Sequence, residues 1–384
     1  MQKINLLYVI TELELGGAQK QLLNLITHLD KEKFNIFLFT ACNSLLLKEA
    51  SSIKELTLKK STYLKRPLNP LKDLLALIEI YRFIKKNNIN IVHTHSAKAG
   101  ILGRWAARCA RVKIILHTIH GWSFNDYQSL VLKHFYIWLE KIAAEFTNKL
   151  IIVSNHDKQK GLQNHIGDED KYILVSYGID RNEFNVKDNT IREELELDDK
   201  DLLVGTISCL KPQKSPQDFI KLCFLTNKVL PHVKFVLVGD GVLRKKIERL
   251  IRKFNLEKKV ILTGWRRDIP KILSALDCFV LTSLWEGLPI SVLEAINASR
   301  PVIVTNTGGI AEVIEDGKTG FLFEPRDIKS MSDKLSTILG DEDLRRKIAT
   351  DAKVSLGQNF SLEHMVSNTQ AVYENLINLK VKAF

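Results

Sequence analysis

The feature that most constrains the fold is an alternation of short apolar runs with longer amphipathic segments, which extends along most of the chain. One example is the run 276–281, which is bounded by polar residues and is followed by a glycine-proline turn and a helical pattern. Such runs are typical of strands buried in a parallel sheet, and the amphipathic segments are typical of crossover helices. The pattern therefore predicts right-handed βαβ units and an α/β fold.

The alternation is interrupted once, by the charged and turn-rich segment 178–201, and then restarts. We therefore expect two doubly wound, Rossmann-like domains that face each other across a cleft, residues 1–183 and residues 184–360. The second domain is expected to end in one helical stretch over 327–355. The last helical pattern, 361–384, is expected to pack back on the first domain. A chain of 384 residues can bury a large core in each domain.

Charge and cysteine content narrow the class of protein. The net charge is +12, and it is uneven: residues 1–190 hold 27 Lys+Arg against 18 Asp+Glu, whereas residues 191–384 hold 29 against 26. A basic first half suggests an anionic partner. No zinc-finger, RRM or KH signature supports nucleic acid as that partner. The five scattered cysteines form no C-x-x-C pattern, which favours a reducing cytoplasm and argues against structural zinc.

The segment 283–297 carries the strongest chemical signal, because Glu286 and Glu294 flank a glycine-proline loop and the start of a helix. In an open parallel sheet, a loop that follows a buried strand lies where ligands bind. Pro289 suits the first turn of that helix, and the backbone N–H groups beside it could hold an anion such as a diphosphate. Carboxylates accept strong hydrogen bonds from hydroxyls, so the two glutamates could bind a sugar and a ribose. The alternative for both glutamates is a solvated helix surface.

The glycine pair Gly16-Gly17 follows the first predicted strand and precedes a helix. Glycines at this position let the backbone approach a phosphate at a helix start, although glycine pairs are also common in ordinary turns.

Taken in order, the motifs of the chain resemble those of family-4 glycosyltransferases, which are retaining enzymes of the GT-B fold. The resemblance covers almost the whole length. It rests on the following segments: G-G-A-Q (16–19), V-H-T-H-S-A-K-A-G (92–100), T-I-H-G (118–121), S-C-L-K-P-Q-K (208–214), L-V-G-D-G (237–241), T-G-W-R-R-D-I (263–269), S-L-W-E-G-L-P-I-S-V-L-E-A (283–295) and T-G-G-I-A-E-V-I (307–314).

The resemblance implies a nucleotide-diphosphate sugar as donor, bound mainly by the second domain, with a UDP-sugar favoured over a GDP-sugar. It places Lys214 on the diphosphate, Glu286 on the sugar hydroxyls and His120 beside the reacting sugar; these three are the expected catalytic residues. The other residues expected to contact substrate are Gly16, Gly17, His95, Lys211, Gly264, Trp265, Arg266, Gly287, Leu288, Pro289, Ile290 and Glu294.

One position departs from the family pattern, which usually has arginine where this chain has Cys209. A thiol cannot donate two parallel hydrogen bonds to a phosphate as arginine does. Either Lys211 supplies the second cationic contact to the diphosphate, or Arg266 or Arg267 does.

No metal or other cofactor is expected, because the family that the chain resembles does not use a metal. The two D-x-D strings, 168–170 and 341–343, lie in turn-like regions and are predicted to be surface caps. His93 and His95 stand at one strand end, but no carboxylate or cysteine is near them in sequence, so a metal site is not favoured there. An acceptor-side role for His95 and a structural one stay open.

The first half also combines basic and aromatic residues. Arg104, Arg108 and Arg111 recur at helical spacing beside Trp105, and an aromatic loop spans 122–127. This combination suits a bilayer interface that carries a lipid-linked acceptor, although a solvated face with core aromatics explains it equally well. No run of 18 uncharged apolar residues is present, so no membrane-spanning helix is expected.

The sequence therefore predicts a cytoplasmic glycosyltransferase, peripheral at the inner face of the membrane. It is expected to move a sugar to a glycan or polyprenyl-linked acceptor in surface polysaccharide synthesis. The alternatives are a sugar-nucleotide epimerase of the same fold and a non-enzymatic sugar-nucleotide binding module. Only the Cys209 departure supports the binding module.

Overall fold

The computed structural model describes residues 3–186, 188, 190–198 and 200–381. The chain divides into two compact units. The first comprises Met1–Gly178 together with Leu362–Phe384, and the second is Ile179–Ser361. The predicted boundary between residues 183 and 184 falls a little later than this division. Residues 179–184 belong to the second unit because Ile179 N donates to Phe360 O at 2.9 Å and Phe184 is buried.

A parallel sheet forms the centre of the first unit, with the strand order β3-β2-β1-β4-β5-β6-β7. Its strands are β1 Ile4–Val9, β2 Phe34–Ala41, β3 Leu56–Ser61, β4 Ile91–His95, β5 Ile114–Ile119, β6 Lys149–Ile152 and β7 Tyr172–Leu174. Its helices are α1 Gly17–His28, α2 Leu47–Ser52, α3 Pro70–Lys86, α4 Ala97–Cys109, α5 Leu130–Glu145, α6 Asn155–Gln163 and, at the other end of the chain, α14 Leu362–Val381.

The second unit repeats this architecture with a parallel sheet in the order β10-β9-β8-β11-β12-β13. Its strands are β8 Leu202–Ile207, β9 Val233–Val238, β10 Val260–Gly264, β11 Cys278–Leu281, β12 Val302–Thr305 and β13 Phe321–Phe323. Its helices are α7 Thr190–Glu194, α8 Pro216–Val229, α9 Arg244–Lys253, α10 Ile269–Ala275, α11 Ile290–Asn297, α12 Ile328–Gly340 and α13 Glu342–Ser355. The prediction of two doubly wound parallel sheets is confirmed.

The predicted single helix over 327–355 is wrong, because it is two helices that meet at Asp341. The side chain of Asp341 accepts a hydrogen bond from Leu344 N at 2.9 Å and so caps the start of α13. The backbone of Asp341 is extended, so α12 ends before it, and its side-chain hydrogen bond starts α13. Asp341 has the capping role that was predicted for its D-x-D string, whereas Asp168 makes no side-chain cap.

The order of strands reverses once in each sheet, between β1 and β4 and between β8 and β11. At such a point the two neighbouring crossover helices lie on opposite faces, and a crevice opens beyond the carboxyl ends of the strands. The loops after these four strands contain about half of the predicted site residues. Each sheet therefore has its own crevice where a ligand can bind.

The last helix, α14, completes the core of the first unit. Buried residues on α14 pack into the same apolar cluster as β1, β2 and α1. The hydroxyl of Tyr373 lies 2.9 Å from the hydroxyl of Tyr8 and 2.6 Å from Nδ1 of His93. All three residues are fully or almost fully buried, so each polar group satisfies another in a place that water does not reach.

Candidate active site

The loop between β11 and α11 is held by its neighbours on both sides. Thr282 Oγ1 donates to Ser215 O at 3.1 Å, in the loop after β8, and Leu284 N donates to Gln213 O at 2.7 Å in the same loop. On the other side, Thr305 Oγ1, at the end of β12, donates to Ser283 O at 2.6 Å. These bonds fix the backbone that carries Glu286.

Glu286 and Lys214 form an ion pair in the second unit, although 72 residues separate them in the chain. The carboxylate also accepts from Ser283 Oγ at 2.5 Å and from Gln213 Nε2 at 3.4 Å. The side chain of Glu286 is 6% exposed and that of Lys214 is 19% exposed. The structure thus brings two of the three predicted catalytic residues together at the carboxyl end of the sheet.

Two glycines after β12 support this loop, and the sequence analysis gave them no role. Gly308 has φ +62°, and a Cβ there would lie 2.4 Å from the carbonyl oxygens of Glu286 and Gly287. Gly309 N donates to Gly287 O at 2.6 Å. Only a residue without a side chain lets the two loops approach so closely. The adjacent glycines of the motif T-G-G were the available signal, since glycine pairs mark close backbone approach.

The helix α11 begins one residue later than predicted. Pro289 is its N-cap, with extended backbone angles, and Ile290 is its first residue, so Pro289 does not lie in the first turn. The N–H groups of Ile290 and Ser291 have no partner inside the helix, because the first turn of any helix lacks the preceding carbonyls. Leu288 is buried, and Glu294 lies buried about one turn along α11. Glu294 is thus closer to the helix start than the two turns its spacing suggested.

The loop after β8 places Lys211 and Lys214 at the two ends of a short 3₁₀ turn. Two glycines after β9 press against this loop. A Cβ on Gly239, which has φ +130°, would lie 2.1 Å from Ser208 O, and one on Gly241 would lie 2.8 Å from Leu210 O. The predicted L-V-G-D-G motif therefore shapes the backbone that presents the two lysines. Lys211 is half-buried.

The segment after β10 carries Arg266, one of the candidates for the cationic contact that Cys209 cannot make. Arg266 is bound by two carboxylates: it donates to Asp268 at 2.8 and 2.6 Å and to both oxygens of Glu194, one at 2.9 Å. These hydrogen bonds raise the pKa of Arg266 above its usual value. A guanidinium so engaged is a poor replacement for the missing arginine. Trp265, by contrast, is 39% exposed beside Gly264.

In the first unit, Gly16 is the N-cap of α1 and Gly17 is the first residue of that helix. A Cβ on Gly16 would lie 2.6 Å from Oε1 of Gln19, which is the far end of a flexible side chain. The first turn of α1 holds no acidic residue. Its unpartnered N–H groups and the positive end of the helix dipole make this start suitable for an anion.

His95 and His120 lie together at the carboxyl ends of β4 and β5. His95 Nδ1 is 2.9 Å from His120 Nε2, and His120 Nδ1 is 2.8 Å from the hydroxyl of Tyr177. Burial lowers the pKa of His120 to about 4, and burial together with the neighbouring histidines lowers the pKa of His95 well below its usual value. Both rings are therefore neutral at pH 7. Tyr177 had no sequence signal, because its contact depends on the fold.

His93 does not face a ligand. Its Nδ1 is bonded to Tyr373 and its Nε2 lies 2.7 Å from Thr118 Oγ1. Both nitrogens are thus used in fixing α14 and β5. Within the described ranges, no group of three or more His, Cys, Asp or Glu side chains is arranged to hold a metal ion.

Two family models together match nearly the whole chain. The model described as Glycosyltransferase Family 4 matches residues 15–183, and that described as Glycosyl transferases group 1 matches residues 187–355. A relative from Escherichia coli, UDP-Gal:alpha-D-GlcNAc-diphosphoundecaprenol alpha-1,3-galactosyltransferase, is 35% identical over 318 residues, which are 81% of this chain and 82% of that protein.

The chain is a family-4 glycosyltransferase. Putative glycosyltransferase EpsD of Bacillus subtilis is 26% identical to it over 317 residues, which are 79% of this chain and 82% of that protein. Among solved structures, Anabaena HepE in complex with UDP and glucose superimposes with a TM-score of 0.86 at 20% identity, covering 97% of this chain and all of that one. WaaG, a glycosyltransferase involved in lipopolysaccharide biosynthesis, gives a TM-score of 0.76 at 16% identity, covering 93% of this chain and 97% of that one. The fold of this glycosyltransferase is therefore GT-B, as predicted.

The surface of the glycosyltransferase differs from the predicted basic and aromatic face. Arg104 is fully buried, where it pairs with Glu140 at 2.6 Å and donates to Gly100 O at 2.8 Å. Trp122 and Phe124, from the predicted aromatic loop, are core residues. Arg104 was wrongly placed at the surface, because a helical spacing of charges does not show which side is covered, whereas Trp122 and Phe124 agree with the alternative of core aromatics.

Other side chains of the same unit are exposed instead. On α5, Val131 is 84% and Trp138 is 55% exposed, and on α3, Leu71 is 77% exposed. No helix among the described residues is long and apolar enough to cross a membrane.

Proposed function

We propose that this glycosyltransferase moves a hexose from a UDP-sugar to a saccharide that is linked through diphosphate to a polyprenyl lipid. The observation that carries the proposal is the Lys214–Glu286 pair, which lies beside the start of α11 at the carboxyl end of the second sheet. A cation, free helix N–H groups and a carboxylate in one place match a ligand that has both a diphosphate and sugar hydroxyls. The E. coli relative, which is named for a UDP-Gal donor and a diphosphoundecaprenol acceptor, supports both substrate classes.

In the proposed reaction, the bond between the anomeric carbon and the phosphate oxygen breaks, and its electron pair stays on the diphosphate. The acceptor hydroxyl forms the new bond to the anomeric carbon. Negative charge grows on the diphosphate in the transition state, so fixed positive groups aimed at it lower the barrier. Lys214 and the N–H groups of Ile290 and Ser291 have this role in the proposal, with Lys211 as the second cation.

Glu286 and Glu294 have the complementary role of binding hydroxyls. A buried carboxylate that already accepts from Ser283 and Gln213 has its direction fixed, so it can select the orientation of the sugar. Glu294, on α11, is proposed to hold the ribose. Gly264 and Trp265 are proposed to border the base.

The first unit is proposed to contribute hydrogen bonds rather than charge. The start of α1, at Gly16 and Gly17, is a second place suited to the diphosphate. His120 is neutral at pH 7, so it is proposed to stabilise the reacting sugar by donating or accepting one hydrogen bond. We place His95 on the acceptor side. Retention of configuration and independence from metal are part of the same proposal, and the positive charges named above take the place of a divalent ion.

The acceptor proposal places the enzyme at an anionic membrane surface. Exposed apolar side chains at the starts of α3 and α5 both lie near the carboxyl end of the first sheet, because each helix follows a strand of a parallel sheet; they are Leu71, Leu74, Leu75, Leu130, Val131 and Phe135. Exposed lysines accompany them at the start of α3 and before it, at Lys72 and Lys65. Apolar groups with lysines around them suit a bilayer with anionic headgroups.

The donor and acceptor are tested by incubating the enzyme with single UDP-sugars and a synthetic polyprenyl-diphosphate saccharide, and by analysing the product by mass spectrometry and NMR. We expect one UDP-sugar to be consumed, with an α-linked product. An epimerase would instead release free sugar or an epimer without acceptor, and either product would overturn the proposal. Undiminished transfer in EDTA is expected, and loss of transfer that Mg²⁺ restores would contradict metal independence.

The membrane proposal is tested by sedimentation with vesicles that contain phosphatidylglycerol. We expect binding that falls with added salt and is weakened by Val131→Ser combined with Trp138→Ser. Val354→Ser is the matched control, since Val354 is 75% exposed on α13 in the other unit. Equal binding of both variants would contradict the assignment of this surface.

A further inference from the structure

Three cationic side chains converge in the second unit at the far end of α11. Lys353, on α13, has its Nζ 3.3 Å from Ser299 Oγ and 3.4 Å from Asn185 Oδ1. Ser299 is followed by Arg300, just beyond α11, and Asn185 ends the 3₁₀ turn that begins at Arg181. Lys353 thus joins the segment that carries Arg181 to the segment that carries Arg300.

Two of the three guanidinium nitrogens of Arg181 lack a hydrogen-bond partner among the described residues. Its Nε and Nη2 are both buried, and neither has a hydrogen-bond acceptor within the described part of the chain. Burying a charged donor without an acceptor is costly, so such a group in a folded protein calls for an explanation. No ion pair of Arg181, Arg300 or Lys353 with a carboxylate occurs among the described residues.

The neighbours of Arg181 do not remove the excess positive charge. Arg300 donates to Ala298 O at 2.9 Å and to Leu276 O at 2.6 Å, which are neutral acceptors, and Asp277 is the carboxylate that attracts it. Burial lowers the pKa of Lys353, and repulsion by Arg181 and Arg300 lowers it further. The negative end of the α11 dipole favours cations here, but it leaves Nε and Nη2 of Arg181 unbonded.

We propose that Arg181, Arg300 and Lys353 form a binding site for a phosphate-class oxyanion. Nε and Nη2 lie on one side of a guanidinium and bind two oxygens of a phosphate together. Lys353 adds a point charge, and the hydroxyl of Ser299 is a further donor. A dianionic phosphate suits three cations better than a single carboxylate does.

This site is separate from the donor site and does not depend on the proposed function. The donor residues lie at the start of α11 and the cationic cluster lies beyond its end, so the length of an eight-residue helix, about 12 Å, separates them. The cluster also holds the segment by which the chain enters the second unit, since Arg181 follows Ile179, which pairs with Ser361. An anion bound there would fix that segment to α11 and α13.

The test measures thermal unfolding of the full-length enzyme in sodium phosphate and in sodium chloride of equal ionic strength. We expect phosphate to raise the Tm of the wild type saturably, since a ligand stabilises the state that binds it. Arg181→Met should weaken the apparent phosphate affinity by about tenfold or more, as expected for the loss of a bidentate charged contact. In chloride alone Arg181→Met should be at least as stable as the wild type, because it removes an unpaired buried charge.

Two controls separate this site from other effects. Arg346→Met makes the same change on α13 at a side chain that is 74% exposed, and it should respond to phosphate as the wild type does. Lys214→Met alters the donor site and should also keep the phosphate response. A wild-type response in Arg181→Met, or loss of the response in Lys214→Met, would overturn the proposal. If Arg181→Met does not fold, Lys353→Met replaces it with the same expected loss.

A second arm identifies the source of the anion. Stabilisation by free inorganic phosphate assigns a soluble ligand. Stabilisation that occurs only with phosphatidylglycerol vesicles, and that Arg181→Met removes, assigns a lipid headgroup.

Discussion

The Lys214–Glu286 pair allows the roles of its two members to be separated by experiment. When no nucleotide sugar is bound, the ammonium of Lys214 is bound to the carboxylate of Glu286. Ser283 and Gln213 also donate hydrogen bonds to this carboxylate. When a nucleotide sugar binds, the proposal requires Lys214 to face the diphosphate while Glu286 faces sugar hydroxyls. Lys214→Met and Glu286→Gln should therefore affect UDP binding in different ways.

We expect Lys214→Met to lower kcat by about 10²- to 10³-fold, because a positioned group that stabilises transition-state charge contributes about 3–4 kcal/mol. It should also weaken the binding of UDP, which carries the diphosphate but no sugar. Glu286→Gln should lower kcat as well, but it should leave UDP binding unchanged or tighter. The reason is that it removes a carboxylate that competes with the diphosphate for Lys214.

Folding must be controlled for in both variants. Removing Lys214 leaves a carboxylate that is only 6% exposed, but the two other donors remain and the lysine is partly open to water. The loss of stability should therefore be about 1–2 kcal/mol, at the lower end of the cost of an unsatisfied buried group. Urea unfolding measures this loss, UDP titration by calorimetry gives affinity, and UDP release gives kcat. Near-wild-type kcat in Lys214→Met, or equal weakening of UDP binding in both variants, would refute the assignment.

Three further predictions follow from contacts inside each unit. Gly308→Ala should lower kcat at least tenfold more than Gly317→Ala does, as measured by UDP release, since both glycines have positive φ but only at Gly308 would a Cβ strike the Glu286 loop; equal kcat would contradict the argument. The pKa of His120 falls from 6.5 to about 4 on folding, so its contribution to stability is full above pH 6.5 and is lost as pH falls toward 4. Urea unfolding between pH 6.5 and pH 4 should show a smaller loss of stability in His120→Asn than in the wild type. The same dependence of stability on pH in both proteins would contradict this prediction. Tyr373→Phe, which breaks the hydrogen bond to His93, should cost about 1–3 kcal/mol in the same assay, and a cost below about 0.5 kcal/mol would show that the bond is not structural.

The sequence predicted the framework well because hydrophobic periodicity is a local signal. The buried run Cys278–Leu281 is a central strand, as its composition predicted, and the loop after it carries Glu286 at the switch point. The fold class and the family could therefore be inferred before any contact was known. The exact start of α11 could not be, because proline is favoured in the first turn and the local pattern does not show that Pro289 is the N-cap instead.

Contacts between residues that are distant in the sequence could not be predicted from it. Nothing in a local pattern shows that Arg104 meets Glu140 in the core or that Arg266 is held by Glu194 and Asp268. Charges at helical spacing have the same appearance whether their face is solvated or covered. Tyr177 and His120 are likewise brought together only by the packing of their unit.

The position of α14 has a consequence for how the protein is made. Tyr373 and its neighbours fill the core of the first unit, yet they leave the ribosome after the whole of the second unit. All residues of the second unit emerge earlier, so that unit can finish folding while the other still lacks a helix. Deletion of α14 should therefore damage the first unit of the enzyme and spare the second.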